Sequence, residues 1–243
     1  MSEWWTYSLS DFLLFSPRTY YRLFELYNLA IWPAQLLALA LGVLILALLR
    51  PGPVWKGRVV ATVLAACWLW VAWAYFLEQF ETINWAASYF AFGFAVEALL
   101  LLWIGVAYGL LLEPRSHPTG RAGLALFLFA LGVQPLIGPS LGRSWTQAEV
   151  FGIAPDPTAI ATLGILLTAN GRARWELLAI PVIWCVISSL TLWTIGSPDA
   201  AAPALVACLA VLLAVWKPAG ETCGASRDMS ERMRDAPRRA RCR

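Results

Sequence analysis

The sequence predicts an all-α fold: a polytopic bundle of about seven membrane-spanning helices, N-terminus outside and C-terminus inside. Three observations carry that prediction. Long apolar runs recur along the chain, with 60% of its residues hydrophobic and 14% charged. Basic residues fall on alternate gaps between the runs: Arg50, Lys56 and Arg58; then none; Arg115 and Arg121; Arg143 alone; Arg172 and Arg174; none again; and a tail holding Lys217 and seven arginines. Fourteen tryptophans are far more than a soluble domain carries. Trp32, Trp85, Trp145 and Trp193 mark predicted outer ends and Trp55, Trp175 and Trp216 inner ends, where amphipathic rings sit among headgroups.

The first 28 residues read as an interfacial amphipathic segment (1–28) that is neither a signal peptide nor a span. Aromatics such as Trp4, Trp5, Tyr7, Phe12, Phe15, Tyr20, Tyr21, Phe24 and Tyr27 alternate there with Asp11, Arg18, Arg22 and Glu25. Pro17 separates two short helices, with Ser8 or Ser10 as N-cap of the first and Ser16 of the second. A longer first helix running outward through this segment is the alternative.

The bundle follows over 29–217. A hydrocarbon core of about 30 Å takes roughly 20 apolar residues at about 1.5 Å per residue. The runs place helices at about 30–49, 59–77, 86–112, 122–137, 158–169, 177–195 and 203–216. The fourth, fifth and seventh are short enough for a buried or re-entrant segment. The fifth reaches a crossing length only if Val150 to Ala154 is partly embedded, and the prolines of Pro155-Asp156-Pro157 suit a helix start. Charge decides in its favour, because without it Arg172 and Arg174 fall on the wrong side. With it, fifteen basic residues lie inside and only Arg18, Arg22 and Arg143 outside. Eight acids (Glu3, Asp11, Glu25, Glu78, Glu81, Glu149, Asp156 and Asp199) make the outer face net negative by five.

The tail, 218–243, has no apolar periodicity and is expected to be disordered. Its arginines, among them Arg234, Arg238, Arg239, Arg241 and Arg243, suit anionic lipid at about 1 kcal/mol per basic residue near the surface. Nucleic acid is not the expected partner, since the cluster is short and has no interleaved aromatics.

Motifs with chemistry are few. Cys67, Cys185 and Cys208 lie in spans, and Cys223 and Cys242 in the inner tail, so no disulfide is expected. His117, the single histidine, reads as a loop residue and cannot by itself build a haem or zinc site; no metal and no cofactor is expected. Gly138-Pro139-Ser140-Leu141-Gly142 has the letters of a nucleophile elbow but neither the strand-to-helix setting nor a histidine on its side. The aromatic run Trp68, Trp70, Trp73, Tyr75 and Phe76 reads as packing and interface anchoring.

Glu97 is the internal position that invites function. It lies near the middle of the third helix, where an ionised carboxylate facing lipid costs several kcal/mol, so it must face protein or water or be protonated. Gly93, one turn away, leaves room for a neighbouring helix, and Gly105 and Gly109 continue the small positions. Gln134 falls at a matching depth, which makes a Glu97–Gln134 hydrogen bond feasible. Gln35, Glu78 and Glu81 extend polar character to the outer end. The set describes either an outward-opening polar cavity or a buried acid satisfied by one interhelical bond.

Several blocks resemble a bacterial family of polytopic membrane proteins known only as a domain of unknown function. They are Trp4-Trp5-Thr6-Tyr7, Phe15-Ser16-Pro17-Arg18-Thr19-Tyr20-Tyr21, Ile31-Trp32-Pro33-Ala34-Gln35, Thr82-Ile83-Asn84-Trp85-Ala86, and the stretch from Glu149 to Thr158. The resemblance covers nearly everything up to Trp216 and implies a multi-pass protein of the bacterial inner membrane, without an activity. Its blocks all map to the predicted outer side, the better face to search for function. The expected function is that of a non-catalytic integral membrane protein, structural or accessory, whose partners are the bilayer and another membrane protein or a second copy of itself. The alternative is a small transporter or channel for a proton, cation or small polar solute, using the cavity around Glu97. A membrane enzyme comes last, because no catalytic constellation is present.

Overall fold

A computed structural model describes residues 16–113 and 117–217, and within them the secondary structure is helical, apart from a single bridge between Leu112 and Ala169. Helix α1 (Pro17–Ala30) starts as its sequence dictates: the Ser16 hydroxyl accepts from the Thr19 amide at 3.2 Å and Pro17 takes the first turn. Tyr20, Leu23, Phe24 and Tyr27, spaced to share one face, are buried. The chain then bends by 87° into α2 (Ala34–Leu48) across a cis Trp32–Pro33 peptide. One continuous first helix is therefore not formed. The other proposed short helix, and the basic tail with Arg234, Arg238, Arg239, Arg241 and Arg243, lie outside the described residues.

Helix α3 (Trp55–Trp70) continues through π-helical turns at Val71–Leu77, and α4 (Ala87–Leu100) through similar turns at Leu101–Tyr108. Helix α5 (Pro118–Leu128) passes through a π segment, Phe129–Val133, into α6 (Gln134–Ser140). The last three are α7 (Pro155–Thr168), α8 (Trp175–Thr194) and α9 (Ala201–Val215). Four stretches are long and apolar enough to cross a membrane, Trp55–Thr82, Ala87–Tyr108, Pro118–Ser140 and Trp175–Thr194, and a fifth if α1 and α2 are one broken span. Length and composition thus give four or five candidate spans where the sequence suggested seven. The difference lies in α2, α7 and α9, of 15, 14 and 15 residues.

Helix α7 is the axis of the molecule. Every one of its residues is buried, as is the segment 150–154 ahead of it. Two glycines let α5 lie directly against it: a Cβ on Gly123 would fall 2.4 Å from the Gly164 carbonyl oxygen, and one on Gly164 would fall 2.6 Å from that of Gly123. Gly93, by contrast, would have nothing within 4 Å of an added Cβ, so it admits no neighbouring helix. The Trp68 indole donates to the Thr162 hydroxyl at 2.9 Å, fixing α3 on the same axis. Phe76, Phe94 and Trp184 meet edge to face between α3, α4 and α8. Trp32, Trp85, Trp145, Trp193, Trp55, Trp175 and Trp216 are all exposed.

Hydrogen bonds identify the two ends. At one, α1 lies over the loops: Asn28 donates to the carbonyls of Thr146 and Ala148, and the Tyr27 hydroxyl donates to that of Ile153 at 2.9 Å. At the other, Glu113 and Asn170 amides bond to the Thr168 and Leu111 carbonyls, and the Lys217 ammonium to that of Ala169.

Candidate functional site

The densest polar cluster lies at the α1 end. Asp156 is the second residue of α7 and is buried. Its carboxylate accepts from the Trp184 indole at 2.8 Å and the Ser188 hydroxyl at 2.5 Å, two α8 side chains one turn apart. Asp199, just ahead of α9, accepts from Arg143 at 2.5 Å and from the Ser197 hydroxyl. The Arg143 guanidinium also sits 4.7 Å over the Tyr21 ring, while the Tyr21 hydroxyl meets Ser197 Oγ at 2.7 Å. Glu149, beside the Gln134 side chain, shares a cavity wall with Arg143, Asp156 and Asp199. They surround a cavity of about 20 Å³ that Phe129, Ile160 and Leu192 also line with apolar surface. That is room for about one water.

One guanidinium serves two of the carboxylates here: Arg143 pairs with Asp199 and acts at a distance on Glu149, while Asp156 is held by Trp184 and Ser188. Burial pushes the Glu149 carboxyl well above the usual glutamate value, and the neighbouring Asp156 pushes it further, against a smaller opposite pull from Arg143. Burial works against the charge on Arg143, but Asp199 above all, with the Tyr21 phenol, outweighs it and the guanidinium is held more firmly protonated than usual. No three Asp, Glu, His or Cys side chains among the described residues come close enough to share a metal ion. Buried acids that raise one another's proton affinity suit the holding of a proton on a carboxylate.

Of the residues singled out from sequence, Gln134 belongs to this cluster and the others do not. Glu97 is fully buried on α4, and neither of its carboxylate oxygens has a hydrogen-bond partner among the described residues. The Glu97–Gln134 bond is not made: α4 packs on α3 and α8, whereas Gln134 lies on α6 beside Glu149. Matching depth does not make two helices neighbours. Gln35 donates to the Asn28 carbonyl at 2.7 Å and so secures the bend between α1 and α2, with its Oε1 buried and unpaired. Glu78 and Glu81 are exposed, outside the cavity lining. Ser140 donates to the Ile137 carbonyl of its own helix at 2.7 Å, and His117 takes the N-cap position of α5.

A family model matches residues 18–222, a span that takes in the whole cluster and the helices that carry it. The chain belongs to DUF6064, a family of unknown function. Like the resemblance read from sequence, DUF6064 membership assigns no activity, and the match begins after the block at Trp4-Trp5-Thr6-Tyr7. No curated protein and no solved structure matches the chain.

Sequence reasoning counted Arg143, Glu149, Asp156 and Asp199 only as outer charges, because they lie in three separate segments. A signal was present in Trp184 and Ser188, hydrogen-bonding groups at i and i+4 on one face of a mostly apolar helix, which find partners there only if something polar is buried opposite.

Proposed function

We propose that this chain is a non-catalytic protein of the bacterial inner membrane, crossing it seven times with its N-terminus outside, and that its outer end carries a proton-binding site built from Glu149, Asp156 and Asp199 around Arg143. The crossing count is supported by the way the loops gather. Arg50, Lys56, Arg58, Arg121, Arg172, Arg174 and Lys217 belong to the Lys217 end, Arg18, Arg22 and Arg143 to the α1 end, the asymmetry expected of inner and outer faces. Helix α7 crosses although it is short, because it is enclosed by protein and not by lipid. A single cysteine at Ser140 in a cysteine-free background should react with an impermeant maleimide on intact cells while one at Asn170 is protected; the reverse pattern rejects the orientation.

One observation carries the site: three carboxylates and one cation, Arg143, which pairs with Asp199, line a cavity the size of a water molecule. Like charges that close cannot all stay ionised without a compensating proton. The apolar wall formed by Phe129, Ile160 and Leu192 favours a site over a pore. Infrared titration of the purified protein should show a carboxyl band that keeps its proton well above the ordinary glutamate range and disappears in Glu149→Gln. A spectrum without such a band rejects the site. Proton flux into proteoliposomes that Glu149→Gln abolishes would replace the non-catalytic reading by the transporter alternative.

A further inference from the structure

At the opposite end, α9 finishes beside the start of α8. The Lys217 ammonium reaches the carbonyl oxygens of Leu166 and Leu167 at 3.4 Å and that of Ala169, groups that the C-terminus of α7 leaves unpaired. This fixes a half-buried cation in one place. Arg172, in the α7–α8 loop, is exposed and has no ion-pair partner among the described residues. Trp175 opens α8 with 47% of its surface exposed; no side chain caps that helix, whose Leu177 and Leu178 amides bond to the Arg174 carbonyl. Between them lies a hollow of about 360 Å³ lined by Arg172, Ala173, Trp175, Ala214, Val215 and Lys217. No acid among the described residues is on its wall; Glu176, next in the chain, is exposed outside it.

We infer that this hollow binds a phosphate group. Arg172 supplies a planar guanidinium able to donate two parallel hydrogen bonds to phosphate oxygens, Lys217 adds a positioned charge, and the Trp175 ring sits where headgroups lie. The volume suits a ligand larger than an ion, with phosphate at the cationic side and a chain leaving along Ala214 and Val215. The site is separate from the carboxylate cluster and does not depend on how that cluster is read.

The test uses the full chain in mild detergent at a salt concentration that shortens the screening length to a few ångström, which suppresses loose attraction to the arginine tail. Phosphatidylglycerol, phosphatidylcholine and inorganic phosphate are added separately, with bound lipid counted by native mass spectrometry and melting temperature followed in parallel. One phosphatidylglycerol per chain, weakened about fivefold or more by Arg172→Gln and left unchanged by Arg174→Gln, is the expected result. Lys217→Arg, which keeps the charge and the contact with the α7 carbonyls, should retain binding even where removal of the charge unfolds the end of α7. An Arg172-dependent shift from inorganic phosphate as large as that from phosphatidylglycerol identifies free phosphate as the source. Binding that Arg172→Gln and Arg174→Gln weaken equally, or no binding of either probe, overturns the site.

Discussion

Removing the charge of Arg143 is the sharpest test of the carboxylate cluster. The guanidinium and its Asp199 partner have side chains only 14% exposed each, at 2.5 Å. Arg143→Met fills a similar volume but leaves Asp199 without its partner and Glu149 without a nearby positive charge. Breaking a buried pair from one side costs about 3–5 kcal/mol, and partial exposure places this case near the lower limit. Loss of the contact with the Tyr21 ring adds about 0.5–1 kcal/mol. A total of about 3–4 kcal/mol, at about 2–4 °C per kcal/mol for a chain of this size, lowers the melting temperature by roughly 10 °C. Because the cost arises from ionised carboxylates, it should shrink when the variant is melted at pH 5 instead of pH 8. Arg143→Met combined with Asp199→Asn should recover at least half the loss, since no orphan charge then remains beside Ser197. Scanning fluorimetry in detergent gives all four values. A deficit that is the same at both pH values, with the two substitutions strictly additive, would refute the cluster as a charge-coupled unit.

Other predictions follow from the same geometry. Glu149 is held above its ordinary value, near 4.5, so its contribution to stability is full below that value and is lost as the pH rises through the higher folded one; the protein should melt higher as pH falls from 8 toward 5, and Glu149→Gln should flatten that slope. Gly164→Val forces a side chain against the Gly123 carbonyl and should cost about 3 kcal/mol or more, whereas Gly93→Ala meets nothing and should leave the midpoint unchanged or raise it by up to about 1 kcal/mol; equal losses in the two variants would contradict the α5–α7 contact. Glu97→Leu should be neutral or stabilising, since Glu97 has no hydrogen-bond partner to strand, and a loss of 1–2 kcal/mol would instead reveal the partner that sequence reasoning expected.

The helices were legible in sequence because their signals are local. Pro17 behind Ser16 and Pro155 as the first residue of α7 mark starts by removing a donor that a helix start does not need. Apolar length located α3, α4 and α8 within a few residues. Length failed for α7, because a helix wrapped by protein has no hydrocarbon thickness to match. The site was largely illegible: Asp156, Asp199 and Arg143 are separated by 13 residues or more along the chain and are joined only by the bend of α1 and the seating of α8. Gln134 was found for a partner it does not have, since hydropathy reports depth and not the angle around a helix axis.

The enclosure of α7 sets an order on how the chain can be made. Synthesis runs from the N-terminus, so α7 leaves the ribosome before Trp184 and Ser188, which satisfy its first turn, and before Lys217, which satisfies its last. A 14-residue segment with an aspartate in its first turn has little reason to leave the insertion machinery for lipid by itself. Its surfaces toward α5 are ready early, through Gly123 and Gly164, while those toward α8 and α9 arrive last. In the proposed membrane topology, insertion of the middle of this protein is completed by its end, and chains released before α9 carry an axis still open on its α9 side.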